Sequence, residues 1–162
     1  MIPVTVVNHA AVDIAAAPDA VWRAILEEYV EARKFREYYT LEPLTDPAAF
    51  LGGYRMRMEK DGAVVDERVV HITERDDAAR RLSLLADYLS VPGGLQVFVT
   101  YQAHATANGA RYTLDCHSRM GVEPPADGAR DGIAAALAAL KAQFDEPLAQ
   151  YLASIKTRLE GA

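Results

Sequence analysis

Residues 133–159 read IAAALAALKAQFDEPLAQYLASIKTRL and carry one long amphipathic pattern. This spacing of apolar residues is typical of one face of an α-helix, and at about 1.5 Å per residue such a helix is long enough to cross a small domain. Pro147 lies in the middle of the pattern, where proline removes one backbone hydrogen bond, so we expect a kink or a break near Asp145. The apolar positions, three or four residues apart, are Ile133, Leu137, Leu140, Phe144, Leu148, Leu152, Ile155 and Leu159.

Most of the chain before this helix alternates between apolar and polar residues, which is the pattern of strands that bury one face. Asp61-Gly62 and Asn108-Gly109 are each flanked by alternating runs, and such pairs are strong signals of hairpin turns. Pro92-Gly93-Gly94 separates two further runs. The predicted strands are residues 4–14, 54–59, 64–73, 81–90, 95–104 and 111–120.

Two helical patterns follow the first strand. Pro18 at a first helical position and Asp19 in the first turn favour a helix start. A second short helical stretch is predicted through Phe35 and Tyr38, before a loop that contains Pro43 and Pro47.

The order of predicted elements is one strand, two short helices, five further strands in hairpins and the long helix. One-sided alternation gives the sheet a dry face, and only the long helix is extensive enough to cover it. The fold class is therefore α+β, with a curved antiparallel sheet of six to seven strands wrapped around a long C-terminal helix. No repeat, linker or shift in composition divides the chain, so we expect one domain over residues 1–162.

Several short stretches carry a resemblance to a known family. Residues 12–23, VDIAAAPDAVWR, combine a strand end, an Ala-Pro-acid link and a helix that begins with Val-Trp. Residues 67–72, ERVVHI, and 79–84, ARRLSL, suit two neighbouring strands, and Gly132 and Leu140 suit the start of a last helix. In these stretches the chain resembles the START-like superfamily, also called SRPBCC or Bet v 1-like, and within it bacterial polyketide cyclase/dehydrase-type members.

The resemblance implies a seven-stranded sheet that grips the C-terminal helix in the helix-grip fold, with a hydrophobic cavity between them. Members of the superfamily bind lipids, hormones, polyketides or other small apolar molecules, and a minority catalyse cyclisation or dehydration. This sequence departs from the pattern at Pro147, since the last helix of such proteins is usually continuous, and at the glycine-rich segment 92–94.

The composition restricts the partners and the location that we expect. The net charge of −6 argues against nucleic acid and against anionic lipid, and no segment resembles a signal peptide or a membrane span. The single cysteine, Cys116, excludes an internal disulfide and suits a reducing cytosol. We therefore expect a cytoplasmic monomer or homodimer that has no membrane insertion, no nucleic-acid partner and no cofactor.

No metal site is expected either, because His9, His104 and His117 fall on predicted polar faces without converging ligands. The cluster of Arg33, Lys34 and Arg36 beside Glu27, Glu28 and Glu31 is typical of a solvated helical face.

The dry face of the sheet supplies the candidate ligand-binding residues. Methionine and tyrosine dominate it, which suits an adaptable apolar pocket with a few hydroxyl groups. A filled core without a cavity would produce the same periodicity, and the family resemblance is what favours a cavity. The predicted ligand contacts are Tyr54, Met56, Met58, Leu84, Val99, Tyr101, Tyr112, Leu114, Ser118, Leu140 and Phe144.

Glu67 and His71 are the candidate acid–base residues, because they are four residues apart on one strand and share a face. If that face is the dry one, their pKa values could shift towards catalytic use. If Val70 and Ile72 point inward instead, both residues lie in solvent. The two faces of the strand are nearly balanced in polarity, and the sequence leaves both alternatives open.

Two functions follow from this pattern. The first is binding or carriage of a small hydrophobic or aromatic molecule between the sheet and the C-terminal helix. The second is a polyketide cyclase, aromatase or dehydratase activity in the same cavity, with Glu67 and His71 among the groups that move protons. We further expect the kink at Pro147 to widen the cavity beside Phe144 and Leu148 and to mark its entrance.

Overall fold

A computed structural model describes residues 1–124 and 130–161 of the chain. Seven strands, two α-helices and two short 3₁₀ helices follow one another along these residues. They are β1 (Ile2–Ile14), α1 (Pro18–Tyr29), a 3₁₀ helix (Arg33–Phe35), β2 (Thr40–Pro43), a second 3₁₀ helix (Pro47–Ala49), β3 (Gly53–Lys60), β4 (Ala63–Asp76), β5 (Arg81–Tyr88), β6 (Leu95–Thr106), β7 (Gly109–Val122) and α2 (Arg130–Glu160).

The strands form one antiparallel sheet in the order β1-β7-β6-β5-β4-β3-β2. The five strands from β3 to β7 are joined as consecutive hairpins, as the alternating runs predict. At the turn between β3 and β4, Asp61 and Gly62 both have positive φ, 53° and 77°, which is the requirement of a type I′ hairpin turn. The first strand pairs with the last one, because β1 lies beside β7. The predicted α+β architecture with a seven-stranded sheet and a long C-terminal helix is confirmed.

Two local predictions are wrong in the segment between α1 and β3. The second helical stretch is only the 3₁₀ helix Arg33–Phe35 and does not reach Tyr38. Residues 40–43, predicted as part of a loop, form the edge strand β2 and pair with β3. A strand of four residues has too little alternation to stand out in the sequence, and Pro43 is tolerated because β2 lies at the edge of the sheet.

The long helix runs without interruption from Arg130 to Glu160, so the break near Asp145, one of the two predicted alternatives, does not occur, and the kink stays a prediction. Proline removes only one hydrogen bond of the helix, and contacts with β1 hold the turns before it. The buried Asn8 of β1 donates through Nδ2 to the backbone oxygen of Lys141 at 3.0 Å and to Asp145 Oδ1 at 2.7 Å. After Pro147 the helix buries Leu152 and Ile155. By sequence, Asp127 and Asp131 are the two candidates for the cap at the start of this helix. Asp127 lies outside the described residues, and Asp131 lies inside the helix, in its first turn.

The shorter helix α1 closes one end of the sheet. Its apolar residues Val21, Trp22, Ile25 and Tyr29 are buried. The Trp22 indole also donates to Asp77 Oδ1 at 3.1 Å, which ties α1 to the segment between β4 and β5. Among the described residues, no helix combines the length and the apolar character that crossing a lipid bilayer requires.

Candidate functional site

A cavity of about 440 Å³ lies between the concave face of the sheet and α2. Its volume is in the range of pockets that hold small organic ligands. Five strands provide most of its wall, α1 and the Arg33–Phe35 helix provide one side, and the middle of α2 covers it. The lining residues are Tyr29, Lys34, Phe35, Tyr54, Met56, Arg68, Val70, Leu84, Ala86, Tyr88, Leu95, Val97, Val99, Tyr101, Leu114, Cys116, Ser118, Phe144, Pro147, Leu148 and Tyr151.

The strand residues of the wall form four rows across the sheet, because strand pairing places every second residue on the concave face. At one end Met56, Arg68, Tyr88 and Leu95 are successive partners. The next two rows run from Tyr54 to Ser118 and from Leu84 to Cys116. The last row pairs Tyr101 with Leu114. We call the first row together with Tyr54 of the next row the polar end, because these residues include Arg68, Tyr88 and the Tyr54 hydroxyl.

Eight of the predicted ligand contacts line the cavity. They share the concave face of β3 and β5–β7 or the covering part of α2, and their role in binding stays a prediction. These residues are Tyr54, Met56, Leu84, Val99, Tyr101, Leu114, Ser118 and Phe144.

Three predicted contacts, Met58, Tyr112 and Leu140, do not line the cavity. Met58 pairs with Asp66, one row beyond the polar end, next to a bulge at Val65 of β4. Tyr112 pairs with Ala103, one row beyond the other end, and is only 1% exposed. Leu140 lies one helical turn before Phe144 in α2, and its side chain is half-exposed. Periodicity identified the correct face in these elements but not the length of the cavity along it.

Glu67 and His71 do not line the cavity, since Arg68 and Val70 occupy the concave face of β4. Glu67 lies on the outer face and accepts hydrogen bonds from Arg55 at 2.6 Å and from Arg57 at 2.9 Å. These hydrogen bonds lower the pKa of the Glu67 carboxyl. The alternative with Val70 and Ile72 buried and Glu67 and His71 outside is therefore the one observed.

An ion-pair network surrounds Arg68 at the polar end. Asp66 accepts from Arg68 Nε at 3.1 Å and from its Nη2, and Tyr39 donates to Asp66 Oδ2 at 2.6 Å. Burial disfavours the Asp66 carboxylate, but the hydrogen bonds from Arg68 and Tyr39 outweigh it and lower the pKa. The guanidinium also stacks on Tyr88, with 4.3 Å between its Cζ and the ring centroid. Arg68 is thus held in one position on the cavity wall.

A cluster of four tyrosines, Tyr29, Tyr101, Tyr112 and Tyr151, closes the other end, and we call it the tyrosine cluster. Tyr29 stacks on Tyr101 with 4.1 Å between the ring centroids. The Tyr112 hydroxyl lies 3.4 Å from that of Tyr151, which donates to Glu28 Oε2 at 2.6 Å. Burial raises the pKa of all four hydroxyl groups. Each of them is therefore a neutral hydrogen-bonding group near pH 7.

Glu28 and Lys34 lie beside the tyrosine cluster, and the prediction that Glu28 belongs to a solvated helical face is wrong. Glu28 is buried and also binds Arg158, at 2.8 Å. Much of the Lys34 side chain is exposed, but its Nζ lies 3.9 Å from the centroid of the Tyr151 ring and 3.3 Å from the Tyr29 hydroxyl. Desolvation of this ammonium lowers the pKa of Lys34; the charge of Glu28 opposes this shift and the charge of Arg68 adds to it.

Lys34, Arg68 and Tyr88 are cavity residues that sequence reasoning missed. Arg68 shares one face of β4 with Val70, and this alternation is the feature of the sequence that could have placed Arg68 in the wall. Tyr88 is the cross-strand partner of Arg68 on β5. Lys34 had no comparable signal, because its position depends on how the short 3₁₀ helix packs against α2. The part of the chain that the structure describes contains no cluster of three or more histidine, cysteine or carboxylate side chains suited to a metal ion.

Comparison with known proteins adds to this picture only at the level of the fold. No family model matches the chain, and no curated protein matches it either. Solved structures do match. Ara h 8.0201 has 13% identity and a TM-score of 0.59 over 78% of this chain and 87% of that one. Norcoclaurine synthase from Thalictrum flavum, in complex with dopamine and hydroxybenzaldehyde, has 17% identity and a TM-score of 0.54 over 88% and 90%.

A bacterial structure, the Mll3558 protein from Rhizobium loti, has 21% identity and a TM-score of 0.50 over 88% of this chain and 98% of that one. At these identities the likeness concerns the fold alone. The chain has the Bet v 1-like helix-grip fold, as the resemblance in its sequence implies.

Proposed function

We propose that this chain binds a small, largely apolar molecule in the cavity between its sheet and α2. The observation that carries the proposal is the composition of the wall. Most of the lining is aliphatic, aromatic or sulfur-containing, and the few polar groups are placed at defined positions. Apolar surface supplies affinity and a small number of fixed polar groups supplies orientation, which is the usual composition of a ligand site.

The same wall does not support the acid–base pair that the sequence suggested for catalysis. An acid–base mechanism needs titratable groups within hydrogen-bond reach of a bound substrate. Glu67 and His71 lie on the opposite face of β4, and no carboxylate or imidazole occurs among the described lining residues. The single, buried and free Cys116 also supports our prediction of a cytoplasmic location.

The position of α2 supports an entrance beside Pro147. Phe144, Pro147 and Leu148 all line the cavity, and the side chains of Phe144 and Leu148 are only half-buried. We infer that a ligand enters between α2 and the Arg33–Phe35 helix, where Lys34 and Phe35 form the opposite side.

The test combines native mass spectrometry of the purified protein, extraction of any bound species, and titration with the neutral dye N-phenyl-1-naphthylamine. We expect one saturable dye site per chain. The substitution Ala86→Phe should abolish it, because Ala86 lies in the cavity wall and a phenyl ring fills the space. Ala138→Phe adds the same ring on the exposed surface of α2 and should bind dye as the unmodified protein does. If no ligand is extracted and no saturable site is found, the proposal is wrong.

A further inference from the structure

The cavity wall is cationic in an acidic protein. Lys34 and Arg68 line the cavity, and no acidic side chain occurs among its described lining residues. The chain as a whole has a net charge of −6. Asp66, which lies on the same face of the sheet one row beyond Arg68, balances the charge of Arg68. Lys34 has no carboxylate within 4.0 Å among the described residues, so its charge is not balanced by a direct ion pair.

One buried hydroxyl in the wall has no partner. Tyr54 is only 6% exposed, and its hydroxyl makes no hydrogen bond with any residue that the structure describes. A buried polar group without a partner is unfavourable by about 1–3 kcal/mol, so native proteins seldom retain one without a reason. The other unpartnered buried side-chain atom in the described residues is Asn8 Oδ1, which is not part of the wall. The Tyr54 hydroxyl is therefore a donor that a bound molecule can use.

Arg68 offers a second donor close to Tyr54. The two residues lie on paired strands in adjacent rows of the wall, since Met56 is the partner of Arg68 and Val70 is the partner of Tyr54. Asp66 occupies Nε and Nη2 of the guanidinium. For Nη1 the structure shows one long hydrogen bond, to the Tyr88 hydroxyl at 3.4 Å. This nitrogen keeps donor capacity on the cavity side while the rest of the group is fixed.

We propose that the ligand is an amphipathic acid, whose acidic group accepts hydrogen bonds from the Tyr54 hydroxyl and from Arg68 and is attracted by the ammonium of Lys34. The apolar body of such a molecule packs against the middle rows of the wall, on Val70, Leu84 and Val99. Hydrogen bonds from a charged donor to an anion are about twice as strong as those between neutral groups, and the apolar surroundings strengthen them further. This inference rests on the proposed function of the cavity as a ligand site.

The test uses two dyes that differ in one group. N-phenyl-1-naphthylamine is neutral, and 8-anilino-1-naphthalenesulfonate is the same skeleton with a sulfonate. We expect the anionic dye to bind at least about tenfold more tightly than the neutral one at pH 7, from charge-assisted hydrogen bonds in the cavity. The two dyes should displace each other, and Ala86→Phe should abolish binding of both. The readout is the dissociation constant of the neutral dye divided by that of the anionic dye, a ratio that is above one when the anionic dye is preferred.

Two substitutions locate the acidic group. Tyr54→Phe and Lys34→Met should each reduce the ratio by about three- to tenfold, because each removes one contact with the anion. Tyr38→Phe and Arg33→Met are the matched controls, since both side chains are exposed and outside the wall, and they should leave the ratio unchanged. Tyr54→Phe should reduce the ratio without lowering the thermal midpoint of unfolding of the ligand-free protein, because the Tyr54 hydroxyl has no hydrogen bond to lose among the described residues.

The outcomes separate this inference from the proposed function. If neither dye binds saturably, the cavity is not a ligand site and both proposals fail. If the neutral dye binds and the ratio is near one, only the preference for an acid is wrong. If the anionic dye is preferred but neither Tyr54→Phe nor Lys34→Met reduces the ratio, or the dyes do not displace each other, the assignment of the site is overturned.

Discussion

The tyrosine cluster and the polar end both place hydroxyl groups against an apolar cavity, but they differ in how those groups are satisfied. In the tyrosine cluster, Tyr112 contacts Tyr151, and Tyr151 donates to Glu28. At the polar end the hydroxyl of Tyr54 has no partner, although the residue is just as buried. A network whose bonds are complete stabilises the fold by itself. A buried hydroxyl without a hydrogen bond indicates where a bound ligand supplies the missing partner.

This difference changes the role that we assign to the tyrosines predicted as ligand contacts. Tyr101 and Tyr112 flank the turn between β6 and β7, and both are among the ligand contacts that the sequence predicts. In the structure Tyr101 lines the cavity while stacked on Tyr29, and Tyr112 lies outside the wall. We therefore assign the tyrosine cluster mainly to stability and the polar end to recognition. The following predictions test that division, from the largest expected effect to the smallest.

Removal of Glu28 should have the largest effect on stability. Glu28→Ala takes the acceptor from Tyr151 and the partner from Arg158, and it leaves a void in a buried site. We expect a loss of about 3 kcal/mol in the free energy of unfolding, measured by urea denaturation at pH 7. Glu27→Ala is the control, because Glu27 pairs only with the exposed Arg33. Its loss should be below about 1 kcal/mol. Equal losses in the two variants would contradict a structural role for the cluster.

Removal of one hydroxyl from each end should have opposite consequences. Tyr151→Phe leaves Glu28 without one donor and Tyr112 without a partner, so we expect a loss of about 1–2 kcal/mol. Tyr54→Phe removes a hydroxyl that has no bond, so the free energy of unfolding should stay the same or rise by up to about 1 kcal/mol. Urea denaturation of the ligand-free proteins measures both. A loss of more than 1 kcal/mol for Tyr54→Phe would mean that its hydroxyl already has a partner.

The stabilisation from the ion pair between Asp66 and Arg68 should decrease in acid. The pKa of Asp66 is lower in the folded protein than its ordinary value of 3.8, so ionised Asp66 stabilises the fold above that value, and the contribution is lost as the pH falls through the folded pKa. Asp66→Asn should therefore cost about 1 kcal/mol at pH 7 and progressively less between about pH 5 and pH 2.

The measurement for Asp66 is urea denaturation of both proteins across this pH range. Asp61→Asn is a suitable control, because Asp61 lies in the exposed turn between β3 and β4 and asparagine tolerates its positive φ. A difference between the Asp66 variant and the unmodified protein that does not shrink in acid would refute this assignment.

The smallest effect is expected on the outer face of β4. The double variant Glu67→Gln, His71→Ala should bind N-phenyl-1-naphthylamine with unchanged affinity, because neither residue lines the cavity. Its free energy of unfolding should fall only slightly, because the ion pairs of Glu67 with Arg55 and Arg57 are partly exposed to solvent. A change in dye affinity of tenfold or more would show that the outer face is coupled to the site.

The strands and helices whose patterns are long were predictable from the sequence. The apolar pattern of α2 continues with regular spacing along most of this helix of 31 residues. The Asp61-Gly62 pair between β3 and β4 is typical of a type I′ hairpin turn. The short elements were not predictable in the same way. Arg33–Phe35 and Thr40–Pro43 are stabilised by neighbours that are distant in sequence, so their local residues carry little signal.

For the site, the sequence indicated the concave face of β3, β5, β6 and β7, because on each of these strands one face is clearly more apolar than the other. It left β4 undecided, since Glu67, Val69 and His71 balance Arg68, Val70 and Ile72 in polarity. Pairing with β3 and β5 resolved this, and with it the positions of Arg68 and of the two acid–base candidates.

By itself, then, the sequence determined the order of elements, the hairpins and the helix that covers the sheet, because these depend on periodicity within short windows. Only the tertiary structure decided which rows of the concave face border an empty volume, and that Lys34, Tyr54 and Arg68 belong to one wall. The physical reason is that a cavity and the satisfaction of a buried hydroxyl depend on contacts between segments far apart in the chain. No local pattern records those contacts.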